Sequence, residues 1–198
     1  MELSVSEQTV TTVVWFLEMT SADQLVAPSR PAPAELSIAE VARPSPAYVR
    51  FFYAAVGQDY AWNDRLTWTE SQWRNELERD GVRLLTASVG GAPAGFALLV
   101  PGSDAETETE TETEAEAEAG TDIEVGYFGL LPGWAGRGIG GALLYRAART
   151  AWDAGATRLW LHTCSLDSPA ALPSYRRRGF RVYREATRTQ RLIDRAPW

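Results

Sequence analysis

Residues 124–141 read Glu124-Val-Gly-Tyr-Phe-Gly-Leu-Leu-Pro-Gly-Trp-Ala-Gly-Arg-Gly-Ile-Gly-Gly141, and their order decides the fold. Ile123 to Leu131 is rich in β-branched, aliphatic and aromatic residues, which reads as a strand. Pro132 and the glycines after it end that strand in a turn. A helical period follows: Ile139, Leu143, Leu144 and Ala147 share one face and predict a buried stripe on a helix running to about Ala154. Thr157–Cys164 then reads as a second strand. Strand, glycine-rich turn, helix and strand make a βαβ unit, so at least part of the sheet is parallel.

The remaining elements extend outward from this unit. Ala170–Arg178 predicts a short helix and Phe180–Tyr183 a strand, with Pro173 expected to interrupt the helix. Upstream, Val82–Ser88 and Ala94–Val100 read as strands joined across Gly90-Gly91. Thr69-Glu-Ser-Gln72 fits a capping box that opens a helix stopped by Gly81. Ser45 and Pro46 fit the N-cap and first position of a helix over Ala47–Val56, with Val49, Phe52, Tyr53 and Val56 on its apolar face. Leu36–Ala42 is a short strand candidate, and Ala27–Pro33 is a proline-rich connector. Thr9–Leu17 predicts an extra N-terminal strand, which could pair with a sheet edge within one chain or between two, leaving a homodimer open. The expected class is α/β, with a mixed α+β sheet of about six or seven strands and about four helices. Residues 1–35 form an N-terminal extension in this reading, and 36–198 form one domain.

Charge is distributed unevenly. The 198-residue chain has 26 acidic and 19 basic residues and a formal charge of -7, and every base is arginine. Residues 104–119 hold eight acids and no base, whereas residues 120–198 carry a net +6. The acidic block alternates Glu with Thr and then Ala and has no apolar anchor, so residues 103–121 are expected to be a disordered insertion between strands. Repeat expansion in a tolerant loop and an acidic segment that docks a basic partner are both compatible with it. A pI near 4.9 argues against a nucleic-acid or anionic-membrane binder. One cysteine, Cys164, and one histidine, His162, exclude an intrachain disulfide and leave no metal constellation. Without lysine there is no Schiff base and no P-loop lysine. The start lacks a positive n-region, and no apolar run approaches the roughly 20 residues of a membrane span, so a cytoplasmic protein is expected.

The glycine-rich turn is the strongest chemical signal. Gly138 and Gly140 let backbone N–H groups approach a ligand, and a helix N-terminus adds a positive dipole end, which suits a phosphate. The turn is neither a Walker A loop nor a Gly-x-Gly-x-x-Gly fingerprint, and a tight turn serving only helix packing explains glycine equally well. The whole stretch Glu124 to Gly140 resembles the strand and pyrophosphate loop of the GNAT acetyltransferase superfamily. Pro169-Ala-Ala-Leu-Pro-Ser-Tyr-Arg-Arg-Arg-Gly-Phe180 resembles that superfamily's tyrosine-bearing helix, and the likeness covers roughly residues 36–185.

The resemblance implies acetyl-CoA as co-substrate, without a metal. It implies that Arg137, Gly138, Gly140 and Gly141 cradle the pyrophosphate, with Ala135 and Gly136 nearby and Leu130 and Leu131 along the pantetheine arm. Ala135 departs from the Gln or Arg that usually begins this loop, and Asp167 or Ser168 stands where the tyrosine helix usually has Asn. Arg176-Arg177-Arg178 answers mainly to the helix dipole but could reach a CoA phosphate. Glu124 resembles the superfamily's general-base glutamate, and burial would raise its pKa; a strand-end carboxylate holding an arginine is the alternative. Tyr175 is the candidate acid for the leaving thiolate, or else a core aromatic. His162 would lie beside the strand of Glu124, as a second base, a substrate contact or a structural histidine. Trp62, Asp64 and Trp68 could form a wall for a cationic amine, though the tryptophans could equally pin the two early helices to the sheet. The expected function is transfer of acetyl from acetyl-CoA to a primary amine, on a small molecule or peptide, by direct attack. A non-catalytic acyl-CoA-binding module and an interaction protein built on the acidic segment are the alternatives.

Overall fold

The computed structural model describes residues 8–102 and 121–192. The expected acidic insertion, 103–120, lies outside the described residues. The elements, in chain order, are β1 (Gln8–Met19), β2 (Leu36–Glu40), α1 (Pro46–Gly57), α2 (Glu70–Leu77), β3 (Arg83–Val89), β4 (Ala92–Pro101), β5 (Thr121–Leu130), α3 (Ile139–Asp153), β6 (Ala156–Cys164), α4 (Ala171–Arg177) and β7 (Arg181–Leu192). The strands form one mixed seven-stranded sheet in the order β2-β3-β4-β5-β6-β1-β7. Only β5 and β6 are parallel, as the βαβ reading requires. Among the described residues no helix is long and apolar enough to cross a membrane.

Local chemistry sets the helix starts. Ser45 Oγ accepts the Tyr48 N–H at 3.3 Å, and Pro46 begins α1. At α2, Thr69 Oγ1 accepts the Gln72 N–H at 3.3 Å while Gln72 Oε1 accepts the Thr69 N–H at 2.9 Å, completing the capping box. Pro173 does not interrupt α4. It is the third residue of the helix, where an N–H has no intrahelical acceptor, and Ser174 N–H already reaches the Ala170 carbonyl at 2.9 Å.

The sheet is covered on both faces. The stripe of α3, Ile139, Leu143, Leu144, Ala147, Ala148 and Ala151, buries against one face. Phe52, Tyr53 and Val56 of α1 and Trp73 and Leu77 of α2 bury against Leu84, Phe96 and Leu98 on the other.

β1 is an interior strand, antiparallel to both β6 and β7. Arg158 on β6 helps to hold it, with Nε 2.7 Å from Glu18 on β1 and Nη1 3.0 Å from Asp122 on β5. β7 runs well past the expected Tyr183, because its polar continuation pairs with β1 as far as Gln8↔Leu192.

After β1 the chain makes a short 3-10 turn, Ala22–Gln24, and packs against the end of α4. Gly179 adopts φ +106°, and a Cβ there would stand 1.8 Å from the Gln24 carbonyl oxygen. The Gln24 carbonyl carbon would stand 2.8 Å away as well, and since both atoms are backbone, Gly179→Ala should cost about 3 kcal/mol through strain and overpacking. Urea denaturation followed by circular dichroism checks this; a loss under about 0.5 kcal/mol, as for an ordinary surface change, would contradict the packing.

Candidate active site

β5 and β6 hydrogen-bond only from Thr121↔Ala156 to Glu124↔Trp160, although β5 continues to Leu130 and β6 to Cys164. The strands part because β5 bends. Leu98 pairs with Tyr127 and Leu99 with Val125, so Gly126 is an extra, bulged residue. Past Glu124 the freed edge of β5 faces a cleft of about 1520 Å³. Glu124 and Trp160 mark the point where the strands separate.

The glycine turn forms one end of this cleft. Gly138 caps α3 at φ +81°, a left-handed conformation that favours glycine. No side chain caps this helix and its first turn holds no acid, so the Ile139, Gly140 and Gly141 amides keep their N–H groups without intrahelical acceptors. Leu130, Leu131, Ala135, Gly136, Gly138, Gly140 and Gly141 all line the cleft. Arg137 does not. Its side chain is exposed and its guanidinium lies over Trp134, 5.2 Å from the ring centroid. The glycines of the expected cradle line the cleft, and the arginine expected with them stacks outside it.

Glu124 is not a lone carboxylate. Its Oε1 lies 3.1 Å from His162 Nδ1, with the Glu124 side chain 20% exposed and that of His162 half-exposed. Burial pulls the His162 pKa down, but the hydrogen bond and charge of Glu124, joined by the charge of Asp167, outweigh it and hold the imidazole above its usual range. The register carried the signal for this pair. Trp160 is the partner of Glu124, and His162 lies on the same face one side-chain repeat further.

Tyr175 enters from α4 and lines the same cleft. Its ring meets Phe128 and Phe180 edge-on at 6.0 and 6.2 Å, and among the described residues its hydroxyl has no hydrogen-bond partner. Burial first, and the Asp167 charge second, push its pKa up, so the phenol keeps its proton through the neutral range.

Asp167 ties the two sides of the cleft together. Its carboxylate accepts the Trp62 indole N–H at 3.2 Å, the Thr163 hydroxyl at 2.7 Å and the Cys164 N–H at 3.0 Å. Trp62 and Asp64 also line the cleft, as do Asp59 and Glu76. Asp64 accepts the Tyr53 hydroxyl and pairs with Arg65 at 3.2 Å. Trp68 is not brought to the cleft. A turn closed by Trp68 N–H to the Arg65 carbonyl, at 3.1 Å, folds it back onto Trp73 at 5.1 Å, beneath the Arg65 guanidinium at 3.9 Å. Of the three tryptophans, Trp62 lines the cleft, and Trp68 and Trp73 pack the helices.

A model of the acetyltransferase (GNAT) family matches residues 45–180, more than half of the chain and the whole span from α1 to Phe180. The chain belongs to this family. Among GNAT relatives, an uncharacterized N-acetyltransferase of Mycobacterium tuberculosis (strain ATCC 25618 / H37Rv) is 33% identical over 109 residues, covering 55% of this chain and 58% of that protein. The chain thus matches less than two thirds of that relative's length. Solved GNAT structures share the fold. The GCN5-related N-acetyltransferase from Kribbella flavida aligns with a TM-score of 0.54 at 20% identity, over 96% of this chain and 61% of that one. An aminoglycoside acetyltransferase from an uncultured soil metagenomic sample, in complex with sisomicin, aligns at 0.53 and 12%, over 72% and 87%.

Proposed function

We propose that this GNAT protein transfers acetyl from acetyl-CoA to a primary amine, on a small molecule or peptide, by direct attack within a ternary complex. The observation that carries this is the position of the Glu124–His162 pair. It lies where the strands part, in one cleft lined also by the uncapped helix N-terminus, Tyr175, Trp62 and acidic side chains.

The cleft suits the donor. Its glycine end offers unpaired N–H groups to phosphates, and the open edge of β5 past Glu124 offers backbone groups to an extended amide-bearing arm. Acetyl-CoA would supply an activated thioester there. Gly138, Gly140 and Gly141 would hold its pyrophosphate, and Leu130 and Leu131 its arm. The Trp62 indole and the Asp59 carboxylate in the cleft favour a cationic amine, whereas Asp64 and Glu76 are paired with Arg65 and Arg79. An amine attacks only when neutral, so Glu124 takes the ammonium proton, directly or through water, with His162 sharing it. The neutral Tyr175 phenol, which lines the same cleft, would protonate the departing thiolate.

Thiol release from acetyl-CoA across an amine panel tests the reading. The panel includes polyamines, a peptide N-terminus and an aminoglycoside, the last because of the soil-metagenome neighbour's described activity. At least one cationic amine should raise thiol release well above the hydrolytic background. Binding of acetyl-CoA with no turnover on any amine would leave only an acyl-CoA-binding module.

A further inference from the structure

The proline-rich connector between β1 and β2 lies against the glycine turn. The Pro31 carbonyl oxygen stands 2.4 Å from where a Cβ on Gly138 would be, and Pro28 Cβ stands 3.5 Å from the corresponding point on Gly141. The segment is anchored at its start: Val26 N–H donates to the Arg178 carbonyl at 3.0 Å, and Arg178 Nη1 donates to the Val26 carbonyl at 3.0 Å. Proline at 28, 31 and 33 stiffens it further by fixing φ. Between Pro28 and Pro31, Ser29 and Arg30 line the cleft. Arg30 is exposed, and among the described residues it has no ion pair and no hydrogen bond.

Three other arginines are committed elsewhere. Arg137, the arginine of the turn itself, stacks over Trp134 outside the cleft. Arg178 is buried and holds the connector. Arg65 pairs with Asp64 at the acceptor end. The turn itself offers phosphates backbone N–H groups and a dipole; Arg177 and Arg188 line the cleft as well, but it is Arg30, without a partner among the described residues, that stands on the proline-stiffened segment packed against the turn.

We propose that Arg30 is the side-chain cation that binds the pyrophosphate of the acyl-CoA donor, presented by the connector across the turn. A guanidinium matches phosphate oxygens bidentately, and a preorganised segment loses little freedom on binding. This assignment rests on the acetyl-CoA reading above. It gives Arg178 a role as well, because that residue anchors the segment that carries Arg30.

Titration calorimetry on the full chain tests it, with wild type, Arg30→Ala, Arg30→Lys and Arg177→Ala. Arg30→Ala should weaken acetyl-CoA binding about tenfold, and Arg30→Lys should recover part of the loss. The loss should persist with acetyl-dephospho-CoA, which lacks the 3′-phosphate, and should vanish with S-acetylpantetheine, which lacks the pyrophosphate. Unchanged acetyl-CoA affinity in Arg30→Ala overturns the proposal, as does a loss carried by Arg177→Ala alone. Equal weakening of S-acetylpantetheine overturns it too, since that marks a displaced connector. A loss that disappears with the dephosphorylated donor overturns the pyrophosphate assignment. Failure of the wild-type protein to bind acetyl-CoA is a separate result and overturns the donor reading itself.

Discussion

Replacing Glu124 with Gln should lower kcat by about 100- to 10,000-fold and leave acetyl-CoA affinity within about twofold. Glutamine keeps the size of the side chain and can still bond His162, but it cannot accept a proton from an ammonium. The glycine turn lies at the other end of the β5 edge, so donor binding has no reason to change. The pH–rate profile gives the sharper test. In the wild-type protein His162 holds its proton more tightly than a free imidazole, because Glu124 and Asp167 outweigh burial. The pair becomes able to take a second proton only once the imidazolium has lost its own, so the rate should rise as pH climbs through a value above the ordinary histidine pKa of about 6.5. In Glu124→Gln the largest raising influence is removed, and that limb should move to lower pH. An unaltered profile would remove Glu124 from the role of base. Stability runs the other way. A raised folded-state pKa contributes stability that is fully present below the unfolded value and is lost as pH rises through the folded one.

Tyr175→Phe should slow transfer by about 10- to 1000-fold. The change removes a hydroxyl that has no hydrogen-bond partner among the described residues and keeps the ring that packs on Phe128 and Phe180. Thermal unfolding should therefore stay close to wild type while turnover falls. A phenol that protonates the leaving thiolate matters less when that thiolate is already stable. The deficit should thus shrink with acyl donors whose thiol is more acidic. Wild-type turnover in Tyr175→Phe would assign the residue to packing alone.

The comparison of sequence and structure separates by the range of the interactions. The caps at Ser45 and Thr69, the hairpin at Gly90-Gly91 and the stripe of α3 were legible because each depends on neighbours a few residues away. Pro173 reads in sequence as a break, but in the first turn of α4 a proline loses no hydrogen bond, and only the fold sets where that turn begins. Arg137 and Trp68 carried the right residue types at the right spacing. Their side chains nevertheless found better partners in Trp134 and in Arg65 with Trp73.

Sequence alone determined the βαβ unit and the glycine-rich start of α3, whereas Glu124 and Tyr175 stood out only through the resemblance to the family. Local periodicity and backbone chemistry are enough for the first two. Tertiary structure decided the place of β1 inside the sheet, the pairing of His162 with Glu124 and the path of the proline connector across the turn. Each of these depends on contacts between residues far apart in the chain. Arg30 shows the difference most clearly. In sequence it is an arginine between prolines, and only the fold sets it beside the turn formed by residues 133–141.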